Sequence, residues 1–291
     1  MIQISNQHLI VTMTQEGGTL TSIRDAKTGR EYLWQGDPAY WTGQAPNLFP
    51  FVGRLYEKTY TLHGKAYPMT IHGFVRHAQM TVEEEQEASC CFLLTDSPET
   101  LAVYPYRFAF RIRYALEGPV LQVAFQVENR SEEPLYCGMG GHPGFNVPLE
   151  EGLTFEDYEL TFPEACTPRQ VVFSPALQVA PERPAYPLEE GRKLPLRHEL
   201  FDLDAVVLAG APRQVTLSSP KGSHGVTVAY PQMPYVGFWH KPQTDAPYVC
   251  IEPWSVLPGR DNLVEELSQM PDMTTVAPGQ TFENRWSITI W

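Results

Sequence analysis

The stretch Phe108-Ala109-Phe110-Arg111-Ile112-Arg113-Tyr114-Ala115-Leu116, the turn Glu117-Gly118-Pro119, and then Leu121-Gln122-Val123-Ala124-Phe125-Gln126-Val127-Glu128 decides the fold class. Large apolar residues occupy every second position on both sides of the turn, and Ala, Arg, Gln and Glu fill the positions between. A period of two is the signature of a strand with one buried face, and the Gly-Pro turn joins two of them into a hairpin. A second hairpin reads from Gln214 to Tyr230, turning at Lys221-Gly222-Ser223, and shorter strand patterns occur at 9–14, 20–24, 158–162, 248–252 and 286–291.

A helical period of 3.6 is scarce. Asn262–Met270 is predicted as one or two helical turns. Another short helix is predicted over Glu99–Tyr104, with Ser97 as N-cap and Pro98 at the first helical position. Many strands, 27 prolines and 21 glycines spread along the chain, and few helices predict an all-β protein, a large antiparallel β-sandwich or barrel. The 291 residues, 43% of them hydrophobic, are enough for one large core, and a single domain over 1–291 is expected. The Pro- and Glu-rich stretch 175–195 reads as a surface excursion within that domain. The glutamate run Glu83–Glu85 and the histidines His63, His77, His198 and His224 read as solvated.

The formal charge of −13 argues against nucleic acid and anionic membranes as partners, since both attract a basic face. No stretch approaches 18 apolar residues and the N-terminus lacks the pattern of a secretory signal, so a cytoplasmic protein is expected. Five cysteines without CxxC spacing suggest reduced thiols. Neither HExxH nor His-x-His spacing occurs, and glycine-rich phosphate loops and a GxSxG elbow are missing too. The sequence therefore predicts no metal and no cofactor.

Three segments are unlike sheet filler. They are Asn47-Leu48-Phe49-Pro50-Phe51-Val52-Gly53-Arg54 with the later Ile71-His72-Gly73-Phe74; Gly138-Met139-Gly140-Gly141-His142-Pro143-Gly144-Phe145-Asn146; and Phe238-Trp239-His240 with Tyr248-Val249-Cys250-Ile251-Glu252-Pro253-Trp254. Each sets a titratable residue beside Gly, Pro or aromatic residues, as a rigid loop at a sheet edge does. The glycines before His142 suggest close approach to a neighbour. Glu252 closes an apolar strand, where a merely solvating charge fits poorly; it is read either as functional or as a structural ion-pair partner. Aromatic residues that can stack on a pyranose, with polar residues that can meet its hydroxyls, suit a small-molecule sugar.

Taken together, Glu31-Tyr32-Leu33-Trp34, Asp37 to Trp41, Leu48-Phe49-Pro50, Gly53-Arg54, His72-Gly73-Phe74, His142 to Asn146 and Cys250 to Trp254 resemble the aldose 1-epimerase (galactose mutarotase-like) family, in its short bacterial branch associated with lactose operons. The resemblance implies a supersandwich of antiparallel strands with an open sugar cleft and interconversion of α- and β-anomers without a cofactor. It further implies His142 as general acid, Glu252 as general base, and Arg54 and His72 as sugar-binding partners. Asp204, or Asp202 two residues before it, is the candidate for gripping hydroxyls. Trp239, Phe145 or Trp254 is expected to supply an apolar wall. The segment before His142 reads Gly-Gly where galactose-specific members carry asparagine, which leaves the sugar open. Arg54, Arg76 or Lys241 could meet a phosphate, and a non-catalytic sugar sensor is the other alternative. A monomer or homodimer is expected. Because acid and base serve two oxygens of one carbon, their polar atoms should lie roughly 5–7 Å apart, with Arg54 and His72 in the same cavity.

Overall fold

A computed structural model describes residues 1–291. It contains 23 strands and a single α-helix of six residues, Pro98–Val103, capped by the Ser97 side chain as predicted. Two large sheets carry the architecture. The nine-stranded sheet runs in the order 193–195, 159–161, 214–218, 225–229, 281–290, 120–129, 108–117, 89–95 and 81–86. The seven-stranded sheet runs 169–171, 206–209, 235–239, 248–254, 140–141 and 47–48, with 144–146 also paired to 248–254. Every pairing between these strands is antiparallel.

The central hairpin has the expected register: Leu121 faces Leu116, Val123 faces Tyr114, Phe125 faces Ile112 and Val127 faces Phe110. These side chains join Val236, Phe238, Val249 and Ile251 of the other sheet in one core cluster of 63 buried residues. The core therefore lies between the two sheets, which makes the molecule a β-sandwich. On the outer face Arg111 and Arg113 make two-pronged bonds to Glu83 and Glu84, so these two glutamates are ion-pair partners rather than simply solvated.

Several local expectations are corrected. Asn262–Met270 holds only the 3₁₀ turn Leu267–Gln269, because Asn262 sits at φ 57° and Glu265 turns back to bond Arg260. His198 stacks on Phe155 at 4.0 Å and bonds His240, and His224 lies against Tyr32, so neither is free in solvent. The 175–195 stretch is not a mere surface excursion: Val179 is buried and its N–H donates to Gly259 O, and Leu177 reaches the cleft described next.

Candidate active site

The strand Tyr248–Trp254 is buried along its whole length and has two apolar neighbourhoods. Val249 and Ile251 point into the main core, whereas Tyr248 and Cys250 belong with Trp34 to a separate cluster that has Trp41 and Trp239 at its edge. The alternation of a strand puts Glu252 on the second side, where an open cleft of about 630 Å³ reaches it. That volume suits a monosaccharide-sized ligand.

His142 reaches the same place from the neighbouring segment. Gly140 pairs with Trp254 on one side and Leu48 on the other. A Cβ on Gly141 would sit 2.6 Å from the Trp286 ring, so the close approach expected from the glycine run is real. His142 is then held by its N–H donating to Pro46 O, with Trp41 stacked on its ring at 5.0 Å and Trp239 edge-on at 5.6 Å. Its Nε2 lies 3.3 Å from Glu252 Oε2. The pair is closer than the 5–7 Å expected.

His72 lines the cleft with its ring 5.6 Å from that of His142. Its backbone has φ 63°, and the Gly53 N–H donates to its Nδ1, which leaves the neutral ring's proton on Nε2 as a donor. Gly73, next in the chain, has φ 74°, and a Cβ there would meet Phe49 O at 2.1 Å. This crossing of two backbones sets where His72 stands. Arg54 lines the cleft as an exposed side chain outside every ion pair of the protein.

Of the two aspartates, Asp204 lines the cleft and accepts a 2.8 Å bond from the Trp239 indole, while Asp202 is exposed outside it. Trp239 and Trp254 line the walls, but Phe145 does not: it is fully buried in the main core, paired with Val249 and bridged to Leu33. The reason is strand parity, since Phe145 sits opposite a core-facing residue. Lys241 is also elsewhere, its Nζ donating to Ala39 O. The wall residue without a sequence-based role is Trp41; its place in the family-like motif was the one available signal.

Burial governs the charges. His142 is pushed down to about 3, chiefly by desolvation and also by Arg76. Glu252 is raised well above the ordinary carboxylate value by burial and by the Asp204 charge, an effect that the nearby Trp254 indole N–H partly offsets. His72 is lowered well below its usual value by burial, His142 and the two arginines. Asp204 is raised by burial, an effect that the Trp239 bond and Arg54 moderate. Burial thus favours neutral His142 and protonated Glu252. His142, Cys250 and Glu252 together offer donor atoms within 4.8 Å of one another, a grouping hidden in the sequence by the distance of His142 from the other two.

The site and fold define a class: an antiparallel β-sandwich with an open, sugar-sized cleft holding a buried histidine–carboxylate pair. The aldose 1-epimerase profile matches residues 1–289, and the chain belongs to that family. It is 37% identical, over 99% of each chain, to the plasmid and chromosomal LacX proteins of Lactococcus lactis subsp. lactis. A galactose mutarotase related enzyme from Lactobacillus acidophilus has the same fold at a TM-score of 0.95, with 34% identity over 99% of this chain and 96% of that one. A galactose mutarotase-like protein from Lactobacillus casei ATCC 334 superposes at 0.94, with 28% identity over the full length of both. The expected family and fold class are therefore both met. No helix is long and apolar enough to cross a membrane.

Proposed function

We propose that the chain is an aldose 1-epimerase that interconverts the anomers of a hexose or related aldose by acid–base ring opening, with Glu252 as base and His142 as acid. The observation that carries this reading is the 3.3 Å approach of His142 Nε2 to Glu252 Oε2 at the floor of an open cleft. Ring opening removes a proton from O1 and delivers one to O5. A carboxylate facing O1 and an imidazolium facing O5 do both, and afterwards the carboxyl is protonated and the imidazole neutral. After rotation about the C1–C2 bond, closure on the other face of the carbonyl reverses both transfers. No electron moves and no group leaves.

The proton inventory of the pair fits this cycle. Protonated Glu252 with neutral His142, the arrangement that burial favours, contains the same number of protons as the charged pair. The two forms are tautomers related by one proton transfer across the short gap. A bound sugar, with its hydroxyl dipoles between the groups, supplies the polar surroundings that the charged tautomer needs. Each positioned group contributes on the order of 10²–10⁴-fold. Arg54, the His72 Nε2–H and Asp204 are suited to fix the sugar hydroxyls, and Trp239 and Trp254 to cover an apolar face of the ring.

A specific observation favours a second reading of the substrate, an acidic or phosphorylated aldose. Arg76 lines the cleft half-buried with Nε unpartnered, and its basicity is depressed by burial and then by the nearby Arg54. Two arginines without carboxylate partners suit an anion. The test is polarimetry or NMR on freshly dissolved α-anomers of neutral, uronic and phosphorylated aldoses with the purified protein. Acceleration by wild type but not by Glu252→Gln is the expected result. Sugar binding without acceleration of any anomer would leave a non-catalytic sensor and refute the enzyme reading. Arg76→Ala should lower kcat/KM for the anionic substrates alone.

A further inference from the structure

We propose that His142 Nε2, Cys250 Sγ and a Glu252 carboxylate oxygen form a three-ligand site for a thiophilic divalent cation, zinc above all, whose occupation blocks the acid–base pair. A ring nitrogen of His142, the Cys250 Sγ and a Glu252 carboxylate oxygen lie within 4.8 Å of one another, and all three residues are buried. The 3.3 Å between His142 Nε2 and Glu252 Oε2 equals the edge of a tetrahedron around an ion with bonds of about 2.0–2.1 Å. Cys250 and Glu252 are two residues apart on one buried strand, so the pleat sends both side chains to the same side. Glu252 Oε2 is fully buried and has no hydrogen-bond partner, which leaves its lone pairs for a cation.

The donor set selects the ion. One thiolate, one imidazole and one carboxylate suit zinc or cobalt, whereas magnesium and calcium need more oxygen ligands than this pocket has. His142 and Glu252 border the cleft, so an ion can enter from there, and the fourth position is left to water. Binding is a substitution without redox change: the Cys250 thiol proton, and any proton on Glu252, leave to solvent as the metal–sulfur and metal–oxygen bonds form. The bound ion takes the lone pairs that the proposed reaction uses, so it acts as an inhibitor and is no part of that chemistry.

The experiment is a cobalt(II) titration of the full-length protein followed by optical absorption, then competition with zinc. The expected result is a near-ultraviolet sulfur-to-cobalt charge-transfer band with intense visible bands of tetrahedral cobalt, all abolished by zinc. Cys250→Ser should eliminate the charge-transfer band and weaken zinc binding at least ~100-fold, more than loss of an outer hydrogen-bond partner costs. The absence of the band in wild type overturns the proposal. So does a band that survives in Cys250→Ser, since it would come from one of the other four cysteines. Should the serine variant fail to fold by near-ultraviolet circular dichroism, X-ray absorption of zinc-loaded wild type decides: one sulfur and light N/O neighbours support the site, and none or several sulfurs refute it. These readouts do not require epimerase activity, so the site and the proposed reaction can fail separately. An active enzyme should also be inhibited by zinc and restored by a chelator.

Discussion

Replacing His142 by asparagine tests the electrostatic state of the cleft directly. His142 is nine-tenths buried, and its imidazole is held down at about 3, against about 6.5 in the unfolded chain. Its folded-state affinity for protons is thus depressed, so below pH 6.5 the unfolded chain takes up a proton that the folded chain refuses. Folded wild type should lose stability on this account as pH falls from 6.5 towards 3, at up to about 1.36 kcal/mol per pH unit. Asparagine has nothing to protonate. Relative to its value at pH 7.5, the stability difference between His142→Asn and wild type should move in the variant's favour by about 2.7 kcal/mol at pH 4.5, with a ceiling near 5 kcal/mol reached only below pH 3. Paired guanidinium denaturation curves at several pH values measure it. The offset between the proteins at neutral pH includes the cavity left by the ring, so only its change with pH is diagnostic. A difference independent of pH refutes the neutral buried imidazole. A change of opposite sign would mean that folding raises the histidine above 6.5, as a standing ion pair with Glu252 does.

Glu252→Gln should abolish most anomerisation, and since burial raises Glu252, the variant should gain stability relative to wild type as pH climbs above 4.5; a melting-temperature difference that does not move in the variant's favour between pH 4.5 and pH 8 contradicts this. Gly73→Ala combines a left-handed backbone with a Cβ 2.1 Å from a carbonyl oxygen and should cost at least ~3 kcal/mol, read as a lowered denaturation midpoint. Removing residues 286–291 deletes Trp286, Ile288 and Ile290, each at most 3% exposed, a loss of roughly 5–9 kcal/mol. That is comparable to a whole domain's stability; soluble, cooperatively unfolding truncated protein would refute the estimate.

What was legible in the sequence follows the range of the forces involved. The hairpin 108–129 and the strands at 214–230 were readable because a two-residue period is local and each strand has one wet face. The Ser97 cap was readable for the same reason. The strand Tyr248–Trp254 was harder: both its faces are buried, so periodicity does not say which face meets the cleft, and Phe145 was misplaced by the same ambiguity. The Glu83–Glu84 pairs with Arg111 and Arg113 were missed because cross-strand partners depend on a register that no local pattern encodes. His142, Glu252, Arg54, His72 and Asp204 were singled out by chemical type and motif, yet their convergence is a product of sheet order. The closeness of Cys250 to the pair, and the stacking of Trp41 on His142, needed coordinates.

The strand Thr281–Ile290 lies inside the nine-stranded sheet, bonded to Val120–Asn129 on one side and to Gly225–Ala229 on the other. Its partners are synthesised long before it. At ~5–20 residues per second, the interval between residue 129 and residue 290 is roughly 8–30 s. Through all of it the hairpin 108–129 presents an open hydrogen-bonding edge, and until the facing strands 235–239 and 248–254 are made its apolar side chains also have no second layer. The sandwich therefore closes only after translation of its last strand, and the nascent chain carries a sticky edge that a ribosome-associated chaperone is suited to cover. Fast folding of the finished chain does not shorten that wait. Expression yield should follow chaperone supply and translation speed more closely than equilibrium stability.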